Sequence, residues 1–170
     1  MASGTRLLMA IEQIKTARDY TLELISDIDD PLWYDQPHGT TTHVAWQVGH
    51  LAMAQYGLTI LRIRGRERED SEWIAKDFIR KFQKGSQPIA DAGEYPSPSE
   101  IRQVLATVHR HSLAVLDDCA EDDLLQESLP APYAVFPNKL GSILFCPMHE
   151  MLHAGQIGLL RRLLGKQPIR

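Results

Sequence analysis

Apolar residues recur at helical spacing in four long stretches of the chain, and no stretch alternates as a strand would. The first runs from about Thr5 to Asp29, with Leu7, Ile11, Ile14, Leu22, Ile25 and Ile28 on one stripe. Pro31 ends it, because the residue before a proline avoids the helical region, and Pro37 and Gly39 mark the loop that follows. The second begins at Thr41 or Thr42, whose hydroxyl suits an N-cap, and carries Val44, Val48, Leu51, Leu58 and Leu61. It stops at Gly65 behind the cations Arg62 and Arg64. The charged run 66–70 reads as solvated loop, and a shorter amphipathic helix over 71–82 groups Trp73, Ile74, Phe78 and Phe82.

The third long helix has the best-marked start. Ser97 supplies a capping hydroxyl, Pro98 fits the first helical position, and Glu100 completes a capping box. It should reach Asp118 through Ile101, Leu105, Val108, Leu113 and Leu116. Pro130, Pro132 and Pro137 make 120–139 a second sizeable connection. The fourth helix spans about Leu140 to Leu164 and ends at Gly165, with Arg161, Arg162 and Lys166 near its negative end. Pro147 lies inside it and removes one backbone hydrogen bond, which predicts a kink over 143–147.

Four helices of similar length predict an all-α four-helix bundle in one domain, 1–170. The first and third links are short, so helices 1 and 2, and helices 3 and 4, should be antiparallel. The 65–97 link is long enough to travel back along a helix of roughly 35 Å. Helices 2 and 3 then run parallel in an up-down-down-up order, with the short helix on the crossover.

Composition narrows the function. A net charge of −4 over 170 residues argues against a dedicated nucleic-acid binder. No apolar run approaches the roughly eighteen residues of a membrane span. Residues 1–15 mix Arg6, Glu12 and Lys15 into their apolar positions, so no secretory core is visible. Cys119 and Cys146 are too few for a disulfide scaffold, and the expected compartment is the reducing cytoplasm. The odd count is seven histidines.

Two of the seven form His149-Glu150-Met151-Leu152-His153, an H-E-x-x-H word on the fourth helix. Imidazoles at i and i+4 lie one turn apart on one face and can grip one metal ion. The zinc-peptidase reading lacks a downstream ligand, since no His, Asp, Glu or Cys follows His153, and no edge strand is predicted to hold a peptide. A di-iron site needs a second E-x-x-H, and the residues three before His43, His50, His109 and His111 are not acidic. A third imidazole must come from another helix. His50 is the best candidate, beside Gly49, which leaves room for a close neighbour; His43 is the alternative or an outer-shell group, or simply a first-turn polar residue near solvent. His109 and His111 read as surface and His38 as loop. Gln156 shares the face of His149 and His153 and is a candidate to orient an imidazole or bond a ligand. Glu150 is a candidate base or partner of His50, with a solvent-facing role as the alternative. Cys146 reads as a small core residue and an outside candidate for a ligand, while Trp46 and Tyr56 could line a pocket.

With these residues assembled, the chain resembles the DinB/YfiT-like family. The matching words are Trp46-Gln47-Val48-Gly49-His50-Leu51-Ala52, His149-Glu150-Met151-Leu152-His153-Ala154-Gly155-Gln156-Ile157 and the tail Leu160-Arg161-Arg162-Leu163-Leu164-Gly165. The resemblance implies an up-down-down-up bundle that binds zinc, nickel or a similar divalent ion through His50, His149 and His153, commonly as a homodimer. It also implies a transferase or isomerase using a low-molecular-weight thiol. The leading expectation is therefore a metal-dependent thiol transferase acting on a small molecule, with Glu150 and Gln156 as its catalytic candidates. The alternatives are a hydrolase using metal-bound hydroxide, or a non-catalytic, stress-related metal-binding dimer. Pro147, directly upstream of the His149 word, departs from the family pattern.

Overall fold

The computed structural model describes residues 4–129 and 133–169, and among these every regular element is helical. The one β pairing there is an isolated bridge between Ser128 and Asn138. Pro130 and Pro132 lie outside the described residues. Helix α1 is Thr5–Ile25. Helix α2 starts with Val44–Tyr56, passes through a π-helical stretch, Gly57–Leu61, and finishes with Arg62–Arg64. The short helix α3 is Lys76–Phe82, α4 is Pro98–Asp117, α5 is Glu121–Gln126 and α6 is Lys139–Leu163. None of them is long and apolar enough to cross a membrane.

The predicted starts divide by mechanism. Ser97 caps α4 as expected: its hydroxyl accepts from Glu100 N and the Glu100 carboxylate accepts from Ser97 N. At α2 the cap is not a threonine hydroxyl but the ring of His43, whose Nδ1 accepts from Trp46 N at 3.1 Å. An imidazole nitrogen two bonds beyond Cβ reaches the free N–H as well as an Asn oxygen does. Helix α1 ends at Ile25, and the chain to Pro31 tightens into a 3-10 turn, Asp30–Tyr34. Leu22, placed on the buried stripe by spacing, is 44% exposed; Ala10, Ala17, Thr21 and Leu24 fill that face instead. The charged run 66–70 is not all solvated, for Asp70 is buried against Arg64, Tyr56 and Glu67 N. Helix α6 continues through Pro147 without interruption.

Residue pairings set the helix directions. Arg18 and Leu24 of α1 meet Glu150 and Gly158 of α6 in the same order. Gln55 and Thr59 of α2 meet His109 and Ser112 of α4, also in the same order. Gln47, His50 and Leu58 of α2 meet Gln156, His149 and Ser142 of α6 in reverse order.

The apolar interior falls into two clusters. One gathers Leu24, Trp33, Val48, Tyr56, Phe82, Ile101, Ile157 and Leu160; the other gathers Leu7, Ile11, Ile14, Leu58, Leu116, Leu140, Ile143 and Cys146. A buried polar layer lies between them. Arg18 Nε and Nη2 donate to the two Glu150 oxygens at 2.7 and 3.1 Å, Nη2 also to Gln55 Oε1 at 2.8 Å, and Nη1 to Leu105 O at 3.0 Å. This layer ties α1, α2, α4 and α6 together. A buried ion pair is tolerated when its remaining donors and acceptors are also satisfied, which these bonds achieve.

Candidate metal centre

One helical turn from that layer, α2 and α6 bring three imidazoles together. His50, His149 and His153 each offer a ring nitrogen, and all three nitrogens lie within 4.8 Å of one another. The i,i+4 spacing on α6 stacks His149 and His153 on one face, with ring centres 4.6 Å apart. The antiparallel partner α2 supplies His50, whose ring lies 4.6 Å from His153 and 5.2 Å from His149. Gly49 explains how His50 gets there. A Cβ at position 49 would stand 2.5 Å from the Phe82 ring, so only glycine lets α3 press this closely on α2.

That close approach also fixes the His50 ring. Its Nδ1 lies 2.8 Å from Phe82 O, and a carbonyl only accepts, so Nδ1 carries the hydrogen. Nε2 is left with its lone pair, directed at the other imidazoles. His153 is fixed in the same manner: Nδ1 donates to Gln47 Oε1 at 2.6 Å. The Gln47 amide is itself held, because its Nε2 donates to Thr42 Oγ1 at 2.9 Å and to Gln156 Oε1 at 2.8 Å. Such outer hydrogen bonds, which set the tautomer and raise ligand basicity, commonly accompany metal-binding histidines.

The spacing fits a metal ion. His50 Nε2 and His149 Nε2 are 3.3 Å apart. Two nitrogens at about 2.0–2.1 Å from a tetrahedral ion would be roughly 3.3 Å apart. Burial lowers all three pKa values, His149 to about 4 and His153 to about 3, with neighbouring imidazoles adding to the effect at those two. The rings are thus neutral at pH 7, the form that binds a metal.

Of the other candidates, Gln156 lines the site and reaches His153 through Gln47. Glu150 does not join the imidazoles. Its carboxylate, 2% exposed, is turned to Arg18, and it does not line the cavity at the site. One position of offset on a helix is about 100°, and here the rotation takes Glu150 into the bundle interior. Cys146 is packed in the second apolar cluster, where burial pushes its thiol pKa up. His43 is fully buried rather than near solvent, held as the α2 cap among Tyr34 and Tyr95. His109 is not a plain surface residue: it is half-buried, and its Nδ1 lies 3.1 Å from Gln55 Nε2. His111 stacks on Trp73 at 4.5 Å, and His38 lies in an exposed turn. Tyr56 bonds the buried Asp70 and does not line the cavity.

The imidazoles open onto a cavity of about 860 Å³. Trp46 forms one wall and stacks on His50 with ring centres 4.7 Å apart and planes 11° apart. Its indole N–H donates to Ser86 Oγ, which ties the 83–88 loop over the site. Met53, Leu58, Leu61, Phe145 and Leu152 make most of the remaining wall apolar.

Fold and site together define an all-helical protein in which three imidazoles from two antiparallel helices, two of them pinned by outer hydrogen bonds, face a side cavity. The sequence model of the DinB superfamily matches residues 13–157, and the chain belongs to that superfamily. Curated protein sequences give no match.

Proposed function

We propose that this chain is a single up-down-down-up four-helix-bundle domain acting as a metal-dependent transferase on a low-molecular-weight thiol, with His50, His149 and His153 as ligands to a zinc or nickel ion. The observation that carries the reading is the pair of fixed tautomers: His50 and His153 each spend Nδ1–H on a protein oxygen and point Nε2 at the shared centre. A divalent ion held by three neutral imidazoles supplies an acidic open position at which a thiol ionises.

The chain's own residues favour a thiol over water as the nucleophile. Among the described residues no carboxylate lines the cavity, and Glu150 is committed to Arg18, so no acidic side chain there stands ready to take a proton from water. A thiol at a bound metal ion would ionise more completely than a water, and its proton would pass to solvent through the open cavity. Gln156 accepts from Gln47 through Oε1, which leaves its amide N–H₂ free to donate toward a bound substrate. Trp46, Met53 and Phe145 give the centre apolar walls. Glu150 serves as a positioning residue, holding the first turn of the His149 word through Arg18.

A homodimer fits the surface. Met148, Met151, Leu152 and Leu159 form an exposed apolar stripe along α6, a surface of the kind that protein contacts cover. Sedimentation should give twice the chain mass, and Leu159→Glu should return the monomer.

Elemental analysis of untagged protein tests the centre, with close to one transition metal per chain expected. Unchanged metal content after His50→Ala, His149→Ala and His153→Ala would remove the site. Thiol conjugation to an electrophilic haloarene, measured before and after chelation, tests the activity; a rate that does not depend on metal sinks the transferase reading.

A further inference from the structure

The charge pattern inside the cavity opposes that of the whole molecule. The chain carries a net −4, yet no Asp or Glu lines the cavity, whereas Arg62 and Lys84 both do. Several cations elsewhere are held by carboxylates: Arg18 by Glu150, Arg64 by Asp70, Arg161 by Asp27. Among the described residues Arg62 and Lys84 are paired only with neutral acceptors. Lys84 Nζ donates to the Tyr133 hydroxyl at 2.6 Å, and Arg62 Nη1 donates to Tyr133 O at 2.9 Å and Ser142 Oγ at 3.3 Å. Both cations also approach the Tyr133 ring, at 5.2 and 5.9 Å from its centre. One tyrosine thus gathers two unneutralised charges at one end of the cavity, each with spare N–H donors.

The wall between this pair and the imidazoles is apolar. The Phe145 ring lies 5.8 Å from His149 and 6.1 Å from Tyr133, and Leu58 and Leu61 continue the same surface. A ligand that reaches from the imidazoles to Tyr133 must therefore be apolar along its length and negative at its far end.

We propose that the cavity takes an elongated amphipathic anion, with its carboxylate or phosphate bound by Arg62 and Lys84 and its apolar body along Phe145 and Leu58. This deepens the reading of the site given above, and rests on it only for the chemistry at the imidazole end. Charge-assisted hydrogen bonds to two cations that lack carboxylate partners favour the anion over a neutral ligand of the same shape. One such bond corresponds to roughly tenfold in affinity.

Calorimetric titration with octanoate, octyl phosphate and octanol tests this, on the protein as purified and after chelation. The anions should bind roughly tenfold or more tightly than octanol, and the gap should narrow as salt rises. It should close in Lys84→Met and in Arg62→Met, and persist in Arg62→Lys, which keeps the charge and controls for folding. Tighter binding of octyl phosphate than octanoate assigns the far end to phosphate, and the reverse to carboxylate. Equal affinity for all three ligands, or a gap that survives both methionine variants, overturns the proposal. Failure of the metal reading shows separately, as no metal uptake with the anion preference intact.

Discussion

His149 and Glu150 are neighbours in sequence and belong to opposite kinds of polar cluster. Glu150 enters a closed network in which Arg18, Gln55 and Leu105 O use up one another's hydrogen bonds. His149 enters an open one, in which ring nitrogens are aimed at one another 3.3 Å apart and face a cavity. Both are buried polar features in the same bundle, a turn apart. The closed cluster is fully accounted for by bonds within the chain, and so explains how four helices hold their register. The open cluster gathers three ring nitrogens within 4.8 Å of one another at the wall of a cavity, an arrangement suited to a ligand from outside the chain. Polar groups bonded out within the chain hold the fold, whereas ring nitrogens gathered at a cavity wall are placed to meet a ligand.

Four experiments put that contrast to the test. The largest effect should come from His149→Ala, which removes one of three ligands and should abolish stable metal uptake, while the chelated protein melts close to the parent; metal analysis and thermal melts check both halves. Next, Glu150→Ala should cost about 3–5 kcal/mol in stability by leaving Arg18 buried without its carboxylate. Arg18→Met combined with Glu150→Leu should recover most of that in urea unfolding, since the layer is then apolar. A smaller change should follow Gln47→Ala, which frees the His153 ring: metal affinity should fall tenfold to a hundredfold with little change in the melt, measured by chelator competition.

The smallest effect is a pH dependence. Burial, with Arg18 nearby, pushes His109 down to about 4 from its ordinary 6.5. The unfolded chain therefore takes up the proton first, so this contribution is full above about pH 6.5 and is lost as pH falls toward 4. Its limiting slope is about 1.4 kcal/mol per pH unit. His109→Gln should make the fall in stability between pH 6.5 and 4.5 shallower. An unchanged slope in denaturant titrations would mean that His109 is not desolvated in the fold.

How much of this was legible in the sequence follows from the reach of each signal. The capping box at Ser97 and the i,i+4 histidines are local, and both stand as read. The third histidine was found because Gly49 advertises a close neighbour, although the neighbour is Phe82 of α3. Periodicity gives the face a residue occupies and not what faces it. That is why Glu150 could not be assigned to Arg18, 132 positions away, nor Asp70 to a buried site. Gln47 had no signal beyond its place in the family word, since its role depends on an amide bonded to His153 and Gln156 across two helices.

The π-helical stretch over Gly57–Leu61 has one more consequence. In an unbroken α-helix, residues twelve apart, such as His50 and Arg62, would point about 120° away from each other. A π turn takes up one extra residue, which brings that separation to roughly 20°. The extra residue acts as a phase shift along α2, putting the His50 ring and the Arg62 cation on the wall of one chamber. Rewinding the stretch as regular α-helix with every residue kept would swing the two ends apart by about 100°, whereas deleting one residue there would leave them in phase.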